Sequence, residues 1–241
     1  MPEKASFTGE RESQEDLTMR LNIGIDGPVG AGKSTVADAV AARLGILHLD
    51  TGAMYRALGL TALRRGTDLQ DEQAIVDLCR SLKISVSHEA DGQHTWVEGE
   101  DVTGLIRTQE VGMAASTVSR YAEVRKAMVR LQQQLAAETD MLLDGRDICT
   151  TVLPNATAKI YLTASAEERA RRRFLELEKK GSTEPFEQVL QEVIARDEQD
   201  MNRPVEPLRQ AEDAVLVDST NLSFDEVVEA ILAIVEEKRH D

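Results

Sequence analysis

The sequence is poor in cysteine, in aromatic residues and in positive charge relative to negative charge, and its cysteines and its charge each exclude a class of protein. Its two cysteines, Cys79 and Cys149, show no CxxC or Cys/His spacing, so neither a disulfide framework nor a zinc site is indicated. Aromatic residues make up 3% of the chain, and the formal net charge is −15. Because an acidic surface repels phosphate backbones and anionic lipids, we expect neither a nucleic acid nor a membrane as a partner.

Long hydrophobic runs are also missing. No apolar stretch approaches the roughly 18 residues of a membrane span, and the N-terminus lacks the hydrophobic segment of a signal peptide. We expect a cytoplasmic monomer that acts on small molecules. Residues 1–18 are polar, charged and aperiodic, which predicts a disordered leader before a single domain at 19–241.

A glycine-rich motif at residues 27–34 predicts a phosphate-binding loop. GPVGAGKS fits G-x-x-x-x-G-K-[ST] at every position, between an apolar run that suits a buried strand and a segment able to form a helix. The backbone N–H groups of such a loop, with the positive end of the helix dipole, surround a polyphosphate. We expect Lys33 to reach the β- and γ-phosphates of a nucleoside triphosphate and Ser34 to bind its Mg²⁺.

Strand and helix patterns alternate along the rest of the chain and predict an α/β fold. Four further short apolar runs, at 46–50, 141–144, 159–162 and 214–218, are separated by helical patterns at 53–65, 71–82, 106–138, 165–173 and 185–202. This order indicates a five-stranded parallel sheet in a three-layer P-loop fold. Residues 83–103 alternate around a turn, which predicts a small antiparallel insertion, and Ser223 with Glu226 forms a capping box for the last helix.

Polar residues follow the predicted strands where the strands end. Thr51 and Arg56 come after the second strand and should lie beside the phosphate loop, because ligands bind at this edge of a parallel sheet. Arg56 could be a solvated helix residue, but we favour a ligand role. Asp144 ends the third strand and either caps the following turn or supports Mg²⁺ without binding it directly.

Charged residues on three helical segments can be explained by solvent exposure, and two of these segments also allow a functional interpretation. The segment at 165–173 is either a solvated helix or a mobile lid whose arginines fold over a triphosphate; its expected ion pairs are Glu167–Arg171 and Glu168–Arg172. Arg125 lies among other basic residues and, taken alone, is predicted to be a surface charge. In the segment 185–202 and just after it, the spacing places three charged residues on one helix face: Arg196, Asp200 and Arg203. This face is either a ladder of surface ion pairs or a set of ligands for ribose and phosphate.

Five segments, in this order and spacing, closely resemble the bacterial cytidylate kinases, which are nucleoside monophosphate kinases: GPVGAGKST, LDTGAMYR, IRTQEVGMAAS, DGRDICTTVLPNATAKIYLTASAEERARRR and RDEQDMNRPVEPL. The resemblance runs from residue 20 to 239 and implies ATP-dependent phosphorylation of CMP and dCMP in pyrimidine nucleotide metabolism. It also implies a core at 19–50, 139–164 and 204–241, a monophosphate-binding region with the insertion at 51–138, a lid at 165–184 and a substrate-facing helix at 185–203.

The resemblance assigns roles to single residues. The positions that would bind ATP are Gly27, Pro28, Val29, Gly30, Ala31, Gly32, Lys33, Ser34 and Thr35. The positions that would bind CMP are Thr51, Arg56 and Arg146 around the phosphate, Ser116, Arg125 and Asp147 around the base, and Arg196 and Asp200 around the sugar, with Arg203 reaching toward the phosphate or the base. The catalytic positions would be Lys33, Arg146, Arg169 and Arg172, with Mg²⁺ on Ser34 supported by Asp144. Family members can carry glycine in place of Ser34, so its hydroxyl is not essential to the chemistry.

No general base is expected, because the acceptor phosphate is already ionised at neutral pH. Two other functions stay open. A kinase of the same fold could act on UMP or AMP instead. A nucleotide-dependent switch is the less favoured alternative: DVTG at 101–104 fits the D-x-x-G pattern of GTPases, but it falls in the insertion and no N-K-x-D follows.

Overall fold

The computed structural model describes residues 20–89, 91–179 and 181–240, so the predicted leader at 1–18 lies outside the described residues. The strands in these ranges are β1 (Asn22–Asp26), β2 (Leu47–Asp50), β3 (Ile84–Glu89), β4 (Gly92–Val97), β5 (Glu100–Asp101), β6 (Met141–Gly145), β7 (Ala158–Thr163) and β8 (Val215–Asp218). The helices are α1 (Lys33–Leu44), α2 (Thr51–Arg65), α3 (Glu72–Ser81), α4 (Gln109–Val118), α5 (Ala122–Glu138), α6 (Ala166–Lys179), α7 (Phe186–Asn202) and α8 (Phe224–Lys238), with a π-helical turn at Ile148–Val152. None of these helices combines the length and the apolar character needed to cross a bilayer.

The main sheet contains five parallel strands in the order β2-β6-β1-β7-β8. The predicted five-stranded parallel sheet is confirmed. β1 is the central strand, and its last residue, Asp26, stands opposite Gly145 at the end of β6. Because both strands end at the same edge, the phosphate loop after β1 and the turn after β6 lie side by side.

Successive side chains of the buried strands alternate between the two faces of this sheet, so helices pack on both faces. Leu142 packs with α1 and α8, whereas its neighbours Met141 and Leu143 pack with α5 and the π-helical turn. Successive side chains of a strand point to opposite faces, so one buried strand serves both layers. The result is the predicted three-layer arrangement.

The part of the chain that follows β2 and precedes β6 in the sequence forms a second apolar core. On α2, Met54 and Leu58 pack with α3 and α5, while Ala53 and Ala57 pack with β4 and the start of α4. The strands β3, β4 and β5 form a separate antiparallel sheet, which confirms the predicted insertion. Since α2 begins at the edge of the main sheet, it connects this region to the phosphate loop.

The helices differ in whether a side chain accepts hydrogen bonds from the free backbone N–H groups of their first turn. The predicted capping box is present: the Ser223 hydroxyl accepts the N–H of Glu226, and the Glu226 carboxylate accepts the N–H of Ser223. At the start of α2, Asp50 accepts the N–H of Ala53. By contrast, α1 follows Gly32 and has no side-chain cap. The first N–H groups of α1 therefore remain available to a ligand.

Candidate active site

The phosphate loop is shaped by a close approach of its first glycine to the neighbouring strand. A Cβ atom at Gly27 would lie 1.9 Å from the Leu162 carbonyl oxygen, so no side chain fits there. The buried Lys33 ammonium folds back over the loop and donates to the carbonyl oxygens of Gly27 and Pro28, each at 2.8 Å. Burial, followed by the charge of Arg146, lowers the pKa of Lys33 to about 7.

Ser34 and Asp144 lie together beside the phosphate loop. The Ser34 hydroxyl donates to one Asp144 carboxylate oxygen at 3.0 Å, and the other oxygen lies 2.8 Å from His48 Nε2. The second ring nitrogen of His48 lies 2.6 Å from the exposed Asp38. Burial opposes the charged imidazolium, but the hydrogen bonds of both carboxylates outweigh it and raise the pKa of His48 to about 10. Asp144 thus lies between a hydroxyl and a buried cation.

Asp26 fixes the turn that follows β6, and the sequence interpretation missed it. Its carboxylate is 1% exposed and accepts the backbone N–H groups of Ile148 and Cys149, each at 2.8 Å. Burial raises the pKa of Asp26 to about 6 despite these two bonds. Because Arg146 and Asp147 immediately precede the two bonded residues, Asp26 holds the segment that presents them.

Arg146, in the turn after β6, forms an ion pair with Asp200 on α7. Arg146 Nε donates to one Asp200 oxygen at 2.8 Å, and Arg196 Nε donates to the other at 3.2 Å. Burial opposes ionisation of Asp200, but Arg146 and then Arg196 outweigh it and lower its pKa to about 2. The predicted helix face therefore includes a carboxylate held between two guanidinium groups.

Arg125 is not the surface charge that its local sequence predicts. Its side chain is 2% exposed, and Nη2 donates to Asp147 at 2.6 Å while Nε donates to Glu206 at 2.5 Å. The guanidinium carbon also lies 5.7 Å from the centre of the Tyr55 ring. The expectation is wrong because both carboxylates come from distant parts of the chain. Arg203 Nη2 reaches the second Asp147 oxygen at 3.3 Å, so two arginines hold this carboxylate.

Three further predicted residues contact the backbone or a neighbouring side chain. Thr51 donates its hydroxyl hydrogen to the Asp144 carbonyl oxygen at 2.7 Å, which ties the start of α2 to the end of β6. Arg56 donates to the carbonyl oxygen of Ile106 at 3.1 Å, before α4. The buried Ser116 hydroxyl accepts a hydrogen bond from the amide of Gln199 on α7 at 2.7 Å.

On α6, Arg169 is buried and tied to both the phosphate loop and α7. Its guanidinium donates to the Val29 carbonyl oxygen at 2.9 Å and to both carboxylate oxygens of Asp197, at 3.1 and 2.6 Å. Paired N–H groups on one carboxylate fix the orientation of the guanidinium. Asp197 was not singled out from the sequence, although it lies on the same helix as Arg196 and Asp200.

Arg172 makes the second connection between α6 and the loop. It donates to the carbonyl oxygen of Ala31 at 3.4 Å, and to the hydroxyl and carbonyl oxygens of Ser219 at 3.1 and 2.8 Å. The expected ion pair of Arg172 with Glu168 is present at 3.0 Å, whereas the expected pair of Arg171 with Glu167 is wrong, because Arg171 lies 3.7 Å from Glu168 instead. α6 is therefore a charged helix with two arginines held against the phosphate loop, and its motion as a lid stays a prediction.

A glycine-rich loop between a central parallel strand and a helix, with an acidic residue ending the adjacent strand and arginines around the opening, defines a P-loop protein of the α/β class. A family model described as "Cytidylate kinase" matches residues 23–237. The chain is 50% identical over 215 residues to the cytidylate kinase of Caldicellulosiruptor bescii, covering 89% of this chain and 95% of that one. It is 47% identical over 222 residues to the cytidylate kinase of Bacillus subtilis, covering 92% and 99%. The chain belongs to the cytidylate kinase family.

Among solved structures, an uncharacterized protein from Eubacterium ventriosum aligns with a TM-score of 0.51 and 11% identity, covering 90% of this chain and 99% of that one. At this identity the likeness concerns the fold alone.

Proposed function

We propose that the protein transfers the γ-phosphoryl group of ATP to CMP and dCMP, which yields ADP with CDP or dCDP. Membership of the cytidylate kinase family supports the reaction. The observation that supports cytidine nucleotides as the acceptor is the position of the Asp147 carboxylate, which Arg125 and Arg203 hold in place. A fixed carboxylate accepts hydrogen bonds and cannot donate them, so it favours the amino group of cytosine over the carbonyl oxygen of uracil.

In this proposal the donor nucleotide binds at the loop of residues 27–35. The unpaired N–H groups at the start of α1 bind phosphate oxygens, and Lys33 exchanges its two carbonyl partners for the β- and γ-phosphates. A polyanion favours the protonated ammonium, so ATP should raise the pKa of Lys33 from about 7. The carbonyl oxygens of Gly27 and Pro28 thus hold the Lys33 ammonium within the loop where the phosphates would bind.

Mg²⁺ would be held by Ser34, with Asp144 beside it. Their oxygen atoms lie 3.0 Å apart, and oxygen ligands of this kind suit a hard cation that keeps most of its waters. When bound, the ion would neutralise charge on the β- and γ-phosphates. His48 keeps Asp144 ionised through its hydrogen bond, so the carboxylate remains available to support the metal.

The acceptor nucleotide would bind along the opening formed by β6, α4, α5 and α7. We assign Thr51, Arg56 and Arg146 to its phosphate, Ser116, Arg125 and Asp147 to its base, and Arg196 and Asp200 to its sugar, with Arg203 reaching toward the phosphate or the base. Catalysis then consists of positioning and charge neutralisation by Lys33, Arg146, Arg169 and Arg172. Closure of the lid excludes water, which would otherwise accept the phosphoryl group.

An assay of ADP release tests this function. The protein is incubated with ATP and Mg²⁺ together with CMP, dCMP, UMP, AMP or no acceptor, and Lys33→Ala is compared with the wild type. We expect turnover with the two cytidine nucleotides, and a loss of at least about 100-fold in Lys33→Ala. Lys126→Ala, on an exposed part of α5, is the matched control and should keep full activity.

Each alternative predicts a different result in the same assay. Higher kcat/KM for UMP or AMP than for CMP would identify another acceptor. ATP binding without acceptor-dependent ADP release would remove the kinase proposal and favour the nucleotide-dependent switch. The monomeric state and the cytoplasmic location stay predictions.

A further inference from the structure

Gln199 on α7 contacts the proposed base-binding residue Ser116 in a way that determines how Ser116 can bind a ligand. The amide nitrogen of Gln199 lies 2.7 Å from the Ser116 hydroxyl oxygen and 3.3 Å from the Ser116 carbonyl oxygen. A carbonyl oxygen can only accept, so the NH₂ group of the amide, rather than its oxygen, must face Ser116. The hydroxyl oxygen therefore accepts a hydrogen bond from Gln199.

This contact leaves the hydroxyl hydrogen of Ser116 without a protein partner. A serine hydroxyl carries one hydrogen, and here its oxygen is the acceptor towards Gln199. Within the described ranges, Ser116 donates no hydrogen bond from its hydroxyl group, although the side chain is buried. A buried donor without a partner is unfavourable, and a ligand that offers an acceptor can satisfy it.

The same network connects Ser116 to Asp147. The Ser116 carbonyl oxygen also accepts from the Ser119 hydroxyl at 3.0 Å, and the Ser119 carbonyl oxygen accepts from Arg125 at 3.3 Å. Arg125 holds the Asp147 carboxylate with another nitrogen of the same guanidinium, at 2.6 Å. One arginine thus fixes the end of α4 relative to the carboxylate, so a donor and an acceptor are presented by one rigid network.

A hydrogen-bond donor and an acceptor held by one network match the edge of cytosine. Cytosine presents an amino donor beside a ring nitrogen that accepts, whereas uracil presents a carbonyl acceptor beside an N–H donor. We propose that Gln199 is a specificity-determining positioning residue: it makes Ser116 a hydrogen-bond donor, so that Ser116 and Asp147 together select cytosine over uracil. This inference rests on the proposed function and assigns the selection to a residue that need not touch the substrate.

Replacing Gln199 by glutamate tests the inference, because a carboxylate accepts the hydroxyl hydrogen and turns the lone pairs of Ser116 towards the base. We expect Gln199→Glu to lower the ratio of kcat/KM for CMP to kcat/KM for UMP about tenfold, the value of one hydrogen bond. The change should lie mainly in KM for CMP, with kcat and KM for ATP little altered. Gln199→Met, which removes both polar atoms without adding charge, should give a smaller decrease in the same direction.

Gln188→Glu is the matched control, since it makes the same change at an exposed position of α7 and should keep the ratio. A second control is Gln199→Glu combined with Ser116→Ala. If Gln199 acts through Ser116, its substitution should no longer change the ratio in this background. Calorimetric titration with CMP and UMP, without ATP, measures the same selection independently of turnover.

The outcomes separate this inference from the proposed function. A wild type that does not phosphorylate CMP would remove both. A wild type that phosphorylates CMP while Gln199→Glu and Gln199→Met keep its ratio would overturn only the role of Gln199. An equal change of the ratio with and without the Ser116 hydroxyl would also overturn it, because Gln199 would then act by another route.

Discussion

Asp26→Asn should stabilise the protein at neutral pH, even though Asp26 accepts two backbone hydrogen bonds. Burial raises the pKa of Asp26 from 3.8 to about 6, so the folded state prefers the neutral carboxyl group. This preference is fully present below pH 3.8 and is lost as the pH rises through about 6. The difference corresponds to about 3 kcal/mol of stability that the wild type lacks above about pH 7.

Asparagine resembles the protonated side chain in shape and charge, and it does not titrate. The two proteins should therefore be equally stable near pH 4, and Asp26→Asn should be more stable by about 3 kcal/mol near pH 7.5, with about half of the gain appearing above pH 5. Urea unfolding of both proteins at several pH values measures this difference. Glu236→Gln, an exposed substitution on α8 that removes the same charge, is the control and should show no such trend.

The same substitution should lower activity. The amide offers one acceptor oxygen to two N–H groups, those of Ile148 and Cys149, so the turn that presents Arg146 and Asp147 loses part of its support. We expect a higher KM for CMP together with the higher stability. If Asp26→Asn is instead less stable than the wild type near pH 7.5, the two hydrogen bonds outweigh the burial of the charge, and the reasoning is refuted.

Three further substitutions test other parts of the site. Arg125→Met should destabilise the protein by about 3 kcal/mol in urea unfolding, because it leaves the buried Asp147 with Arg203 as its remaining arginine and takes the guanidinium from the half-buried Glu206, whereas the exposed Arg130→Met should change stability little; equal effects would contradict the burial of this ion pair. Gly27→Ala should weaken ATP binding at least about tenfold in calorimetry, since its Cβ atom overlaps a carbonyl oxygen of β7, whereas Gly104→Ala has open space and should bind normally. Ser34→Ala should raise the Mg²⁺ concentration needed for half-maximal activity about tenfold while keeping kcat at saturating Mg²⁺; an unchanged Mg²⁺ requirement would separate the hydroxyl from the metal.

The sequence predicts well those features that depend on neighbouring residues. The apolar runs of the five parallel strands, the phosphate loop and the capping box of Ser223 and Glu226 are all local patterns, and the structure contains each of them. Five sequence segments also predict the family through their resemblance to the cytidylate kinases, and the match to the family and the 50% identity to a cytidylate kinase confirm that prediction. The site roles of single residues stay predictions.

Features that depend on contacts between distant segments could not be predicted in this way. The burial of Arg125 is decided by Asp147 and Glu206, which follow it by 22 and 81 positions. The charge on His48 is likewise decided by Asp144, 96 positions later. For Asp26 a signal was available: it is a carboxylate that ends a buried strand directly before the phosphate loop, at the sheet edge where ligands bind.

The order of the strands in the main sheet has a consequence for synthesis of the chain on the ribosome. β1 and β2 are made first, but they are not neighbours, since β6 lies between them and begins about 90 residues after β2 ends. At about 5–20 residues per second, roughly 5–20 seconds pass before either strand can pair with β6. The Leu162 carbonyl oxygen that lies against Gly27 is made later still. The phosphate loop can therefore reach its final shape only after β6 and β7 have been made, so its glycine-rich motif, although local in sequence, is completed by distant strands.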